Sequence, residues 1–212
     1  MLYTARQRFE RLSVKIGIAF GKVPLTPNQW TVLSLLPAVV SAYFLASSQF
    51  LCAAALFIVA GFLDIVDGSV ARVTGKVSRF GAYLDTIVDR YVEALIVVAL
   101  LFAALPEPNF FVPIKAWLFI YFFGAMMTTY AKAAAKEKEI VKEGLELKGG
   151  ILERAERLIV LFAGVVLASA NPAYLSIAIV LLAVLSNVSA LQRIWIARAM
   201  SRPMQKKAKK KK

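Results

Sequence analysis

The chain has 212 residues, 59% hydrophobic and 18% charged, with a mean hydropathy of +0.67 and a formal net charge of +13. That balance excludes an ordinary soluble domain. A single cysteine, Cys52, excludes an internal disulfide, and the absence of histidine excludes imidazole as metal ligand or general base.

Residues 1–22 alternate basic positions (Arg6, Arg8, Arg11, Lys15) with apolar ones (Leu2, Phe9, Leu12, Val14, Ile16, Ile18). This predicts an amphipathic juxtamembrane helix lying on the membrane, not a cleavable signal peptide. Val23–Leu63 and Leu158–Gln192 contain no charged residue. One helical span needs about 20 residues, so each stretch holds two spans, parted at Ser47–Gln49 and at Asn171–Pro172. Between them one span starts at Gly81 and ends before Pro106, and another runs from Phe110 to about Lys132. The expected fold is an all-α polytopic membrane protein with six transmembrane helices, at 29–47, 50–72, 81–105, 110–132, 151–170 and 173–198. They form a membrane domain, 23–200, followed by a basic tail, 201–212, that reads as disordered.

Every Lys and Arg except Lys115 falls at the termini, in the second and fourth connections, or at the span ends beside them. The positive-inside rule then places both termini in the cytoplasm of a cell-membrane protein. The topology accounts for the net charge, so no nucleic-acid partner is expected. The lysine run Lys206–Lys212 is suited to anionic headgroups.

Asp64, Asp67, Asp85 and Asp89 are the only aspartates, and they sit in otherwise apolar sequence. A carboxylate at mid-helix in a bilayer costs about 2.5–3.5 kcal/mol, so four facing lipid would cost on the order of 10 kcal/mol. They must face one another, water or cations. The spacings of three and four put each pair on one helix face, and neighbouring antiparallel helices can aim both pairs into one cavity. A set of carboxylates without thiolate or imidazole favours hard ions, Mg²⁺, Mn²⁺ or Ca²⁺. Four negative charges can hold two of them, the arrangement that serves phosphoryl displacement. Gly68 opens the backbone beside Asp67, Ala71 is small on the same face, and Gly81 clears space one turn before Asp85. Arg72 suits a phosphate, and Lys76, Ser78 and Arg79 add positive and hydrogen-bonding groups.

The window Asp64-x2-Asp67-Gly68-x2-Ala71-Arg72-x8-Gly81-x3-Asp85-x3-Asp89 resembles the defining motif of the CDP-alcohol phosphatidyltransferase family at every position. Members move a phosphatidyl-type group from a CDP-linked alcohol to a second alcohol and release CMP. The resemblance implies that Asp64, Asp67, Asp85 and Asp89 hold two divalent metal ions, Mg²⁺ first and Mn²⁺ second. It makes Asp89 the catalytic base and Gly68, Arg72 and Ser78 contacts for the CDP moiety, with Ala71 and Gly81 in the same pocket. Pro27-Asn28-Gln29-Trp30-Thr31 resembles the family's opening of the first span, so Asn28 and Thr31 line the nucleotide pocket; alternatively Asn28 caps a helix. The family also implies a homodimer.

Lys132, Arg154, Arg157 and Arg193 lie at cytoplasmic span ends and can cradle a second phosphate; otherwise they obey the positive-inside rule and snorkel. Gly150-Ile151-Leu152-Glu153-Arg154-Ala155-Glu156-Arg157 resembles the corresponding stretch of phosphatidylinositol-phosphate synthases and their archaeal ether-lipid counterparts. That resemblance implies inositol 1-phosphate as acceptor, its phosphate bound by Lys132, Arg154 and Arg193. Glycerol 3-phosphate is the alternative acceptor. A divalent-cation transporter is the alternative of a different class, because acidic residues inside membranes often mark ion paths.

Overall fold

The computed structural model describes residues 2–108, 112–141 and 149–201. Phe110, the tail from 202 onward and the side chains of Leu2, Arg6, Arg8 and Phe9 lie outside the described residues. The described backbone is helical, without a strand: α1 (Leu2–Phe20), α2 (Pro27–Leu33), α3 (Leu35–Ala46), α4 (Phe50–Val73), α5 (Arg79–Phe102), α6 (Ile114–Glu137), α7 (Arg154–Ala168) and α8 (Ala173–Met200). Among the described residues, three segments, Pro27–Ala46, Phe50–Val73 and Ala173–Met200, are long and apolar enough to cross a membrane.

The expected span 29–47 is two helices, α2 and α3, meeting at Ser34. Pro37 has no N–H to give the carbonyl of Leu33, and its ring crowds that carbonyl. Ser34 bridges the break: its N–H reaches the Trp30 carbonyl at 3.1 Å and its hydroxyl donates to the Thr31 carbonyl at 2.7 Å. The start of α2 is set by Thr26, not Asn28. Gln29 N–H donates to Thr26 Oγ1 at 3.3 Å and Thr26 N–H donates to Gln29 Oε1 at 2.7 Å, with Pro27 in the first turn. Ser48, at φ +59°, turns the chain between α3 and α4.

The chain divides into two compact units. One comprises residues up to Leu105 together with Val165–Pro172. Within it, α2 and α3 each pack against both α4 and α5, and α1 packs along α4. Trp30, Val66 and Val70 are buried together, with Ile16 and Phe20 of α1 against them. The rings of Phe20 and Trp30 meet edge to face at 5.6 Å.

The other unit comprises Pro106–Gly164 and the residues from Ala173 onward. Here α6 packs along α8, burying Leu118, Tyr121 and Ala125 of the first and Ile179, Leu182 and Ala183 of the second. Asn187 on α8 donates from Nδ2 to the carbonyls of Ile120 and Ala183, both at 2.8 Å. Large apolar side chains such as Leu36, Phe102, Phe119 and Trp195 point outward, a surface suited to lipid.

The α6–α8 contact depends on Gly124, where an added Cβ would stand 2.5 Å from Asn187 Nδ2 and 2.9 Å from its backbone nitrogen. Gly124→Ala is expected to destabilise this unit by about 1–3 kcal/mol through overpacking. Thermal unfolding of the detergent-solubilised protein checks this; an unchanged midpoint would show that the helices separate there at little cost.

Candidate functional site

Asp64 of α4 and Asp85 and Asp89 of α5 each place one carboxylate oxygen within 4.8 Å of the other two. Asp89 is buried, and Asp64 and Asp85 are half-buried. These oxygens fit a divalent ion. Calcium, with oxygens at about 2.3–2.6 Å, keeps its ligands within about 5 Å of one another, and magnesium, at about 2.0–2.1 Å, within about 4.2 Å. Small rotations of the carboxylates therefore suffice for either. Asp67 stands outside this group of three. Its Oδ2 accepts a hydrogen bond from Thr31 Oγ1 at 2.5 Å, and it lies within reach of the charges of Asp64 and Asp85. Thr31 Oγ1 also lies 3.2 Å from the Pro27 carbonyl, in the first turn of α2.

Beside the carboxylates is a cavity of about 350 Å³, within the roughly 300–1,000 Å³ typical of small-molecule sites. Asn28, Thr31, Gly68, Ala71, Arg72, Ser78 and Gly81 all line it, together with Asp67, Asp85 and Lys76. Its walls come from the start of α2, the last turns of α4, the α4–α5 connection and the start of α5. Ser78 caps α5, accepting the Gly81 N–H at 2.9 Å, which fixes the connection at the cavity mouth. A Cβ on Gly81 would stand 3.0 Å from Asn28 Oδ1 and 3.1 Å from Ser78 Oγ. Gly81 therefore serves to bring Asn28 and Ser78 together, more than to clear room above the carboxylates. At Gly68 a Cβ would meet only the Arg72 guanidinium, at an ordinary contact distance of 3.4 Å. Any requirement for glycine there comes from what enters the cavity.

Two further features were not expected from the motif. Arg72 donates from Nη2 to Ser13 Oγ at 2.7 Å, and Ser13 Oγ lies 2.8 Å from Ser69 Oγ. In α5, Glu93 lies one turn beyond Asp89, is 2% exposed and pairs with Arg90 at 2.6 Å. Both had faint signals: a small polar residue in the apolar stripe of α1, and an acid continuing the Asp85, Asp89 spacing.

In the second unit, the basic residues expected to hold an acceptor fall into two kinds. Arg157 and Arg193 are buried around Thr128. Arg157 Nη1 donates to Thr128 Oγ1 at 3.2 Å, while Arg193 donates from Nη1 to the Thr128 carbonyl at 2.6 Å and from Nε to the Gly149 carbonyl at 3.0 Å. Gly149 and Gly150 take φ of +142° and +128°, where a side chain would be strained. This lets Ile151 and Leu152 give their N–H groups to Gln192 and Ser189 of α8, at 2.9 and 3.0 Å. Lys132, one turn beyond Thr128, is exposed, and Arg154, at the start of α7, is half-buried.

Residues 24–195 match the profile of the CDP-alcohol phosphatidyltransferase family. Archaetidylinositol phosphate synthase of Pyrococcus horikoshii is 31% identical over 199 residues, covering 93% of this chain and 97% of that protein. The bifunctional IPC transferase and DIPP synthase of Aquifex aeolicus is 31% identical over 177 residues, 81% of this chain and 38% of that protein. The crystal structure of Mycobacterium tuberculosis phosphatidylinositol phosphate synthase with CDP-DAG bound superposes with a TM-score of 0.74 at 28% identity, covering 88% of this chain and 94% of that one. The same enzyme in complex with manganese and citrate gives 0.74 at 27% identity, covering 88% of each chain. A match over this much of the sequence means that the chain belongs to the CDP-alcohol phosphatidyltransferase family.

Proposed function

We propose that the protein transfers a phosphatidyl or archaetidyl group from a CDP-linked lipid to inositol 1-phosphate and releases CMP. The observation that carries this reading is one cavity, lined by all seven expected nucleotide contacts, beside three converging carboxylates. A relative whose structure contains CDP-DAG, and another named for archaetidylinositol phosphate synthesis, support the donor and acceptor.

In the reaction, the acceptor hydroxyl oxygen forms a bond to the lipid-linked phosphorus as the bond from that phosphorus to CMP breaks, and the proton goes to Asp89. Divalent ions, two in this reading and Mg²⁺ or Mn²⁺ by the hardness of the donors, neutralise the pyrophosphate when bound. Asp64, Asp67, Asp85 and Asp89 would hold them, Asp67 at the cavity wall beside Thr31. Arg72 and Lys76 meet the phosphates, and Asn28 and Ser78, drawn together at Gly81, meet the nucleoside. Lys132, Arg154 and Arg193 bind the acceptor phosphate. Glycerol 3-phosphate carries the same phosphate and is the comparison substrate.

The proposed setting is a cell-membrane homodimer of six spans per chain, with residues 1–22 on the surface, a membrane domain of 23–200, a basic tail of 201–212, and both termini and the site cytoplasmic. The charge distribution supports the orientation, and the family resemblance supports the dimer.

Purified protein with CDP-diacylglycerol or CDP-archaeol, Mg²⁺ and inositol 1-phosphate is expected to release CMP, faster than with glycerol 3-phosphate. Asp89→Asn should lower turnover about 10²–10⁴-fold, the usual contribution of a general base, while CDP-lipid still binds; near-normal turnover would remove Asp89 as base. Lys132→Ala, at an exposed position, should raise the KM for inositol 1-phosphate about tenfold and leave that for CDP-lipid alone. Arg193→Ala should in addition lower the unfolding temperature, because the Thr128 and Gly149 carbonyls lose their donor. An acceptor KM unmoved in both variants would reject the phosphate cradle.

A further inference from the structure

We infer that Ser13, on the N-terminal helix, is a positioning residue that holds the Arg72 guanidinium at the nucleotide cavity. The inference rests on the proposed role of Arg72 as a phosphate contact, and it extends the site to a helix outside the family motif.

Arg72 is itself exposed, in the last turn of α4, and lines the cavity. An arginine in that setting has rotamer entropy to lose before it can present a fixed fork to a phosphate. One end of this side chain is held. Its Nη2 donates to Ser13 Oγ at 2.7 Å, with a longer contact of 3.5 Å to Ser69 Oγ. Ser13 Oγ accepts from the guanidinium, so its own proton is available to Ser69 Oγ, 2.8 Å away. The two serines are 4% and 0% exposed, which removes competition from water at the anchored end.

The anchor is firm because α1 is seated tightly. Gly17, one turn beyond Ser13, lies so close to α4 that a Cβ there would stand 2.5 Å from both the Ser69 carbonyl oxygen and Val73 Cγ2. Ile16 and Phe20 pack on the Trp30, Val66 and Val70 cluster. Ser13, Ile16, Gly17 and Phe20 thus form the inward stripe of α1, at helical spacing, while Leu12, Val14 and Ile18 face outward. A core face has no packing need for a hydroxyl at position 13. Among the described residues, its hydrogen-bond partners are Ser69 and Arg72.

The test is kinetic, with the full chain in the CMP-release assay and with CDP binding measured directly. Ser13→Ala is expected to raise the CDP-lipid KM and the CDP Kd about three- to tenfold, the range for the net contribution of one typical hydrogen bond. The kcat should stay within about twofold and the acceptor KM should not move. Ser13→Thr, which keeps the hydroxyl, should restore the wild-type KM. In an Arg72→Ala background, Ser13→Ala should add nothing, the non-additivity of two residues acting as one. Should Ser13→Ala not fold, the nearly isosteric Ser13→Cys, a weak acceptor, is expected to show the same direction. A CDP Kd unchanged by these variants, or effects of Ser13→Ala and Arg72→Ala that simply add, would overturn the inference and leave the transfer reading standing. Failure of the wild type to release CMP would overturn the transfer reading, while the CDP affinities would still test the tether.

Discussion

Negative charge enclosed by apolar helices is the constraint on which the rest of this structure depends. Asp64, Asp85 and Asp89 bring carboxylate oxygens within 4.8 Å of one another, inside a bundle whose outer surface is apolar. Like charges so close repel strongly where the dielectric is low. The arrangement becomes favourable when a cation shares the oxygens, and the neighbouring cavity is lined by Arg72 and Lys76 as well as by Asp67 and Asp85. Acid and base lining one cavity suit a phosphate bound through both cations and guanidinium or ammonium.

The helices α2 and α3 turn this constraint into a shaped site. Both pack against α4 and α5, and the capped first turn of α2 carries Asn28 and Thr31 to the cavity. Thr31 donates a hydrogen bond to one oxygen of Asp67 at the cavity wall, beside the three carboxylates that converge. Gly81 then permits the close approach of Asn28 and Ser78. Small residues and hydroxyls, more than bulk burial, set the fit around the cavity.

Much of this was legible in the sequence because its signals are local. Spacings of three and four identified the aspartate faces, Ser47–Gln49 and Asn171–Pro172 marked turns, and the motif named four of the seven expected lining residues, Gly68, Ala71, Arg72 and Gly81, with Asn28, Thr31 and Ser78 outside its fixed positions. The break at Ser34 was also encoded, in Pro37, but a charge-free stretch reads as one continuous span. Other features depend on which helix meets which. The hydrogen bond from Thr31 to Asp67 joins residues distant in sequence. Ser13 looks like an ordinary serine on an amphipathic helix until α4 is placed against it. Arg193 read as a ligand for phosphate, and its bonds to the Thr128 and Gly149 carbonyls follow from the path of the chain before α7, which residue types alone do not reveal.

The central claim is that the aspartate cluster is a metal site serving the adjacent nucleotide cavity. Its most direct test is electron paramagnetic resonance of Mn²⁺ titrated into the purified protein with and without CDP. The account predicts bound Mn²⁺ whose affinity rises when CDP is present, and loss of that signal in Asp85→Asn. Mn²⁺ binding that is indifferent both to CDP and to Asp85→Asn would contradict it.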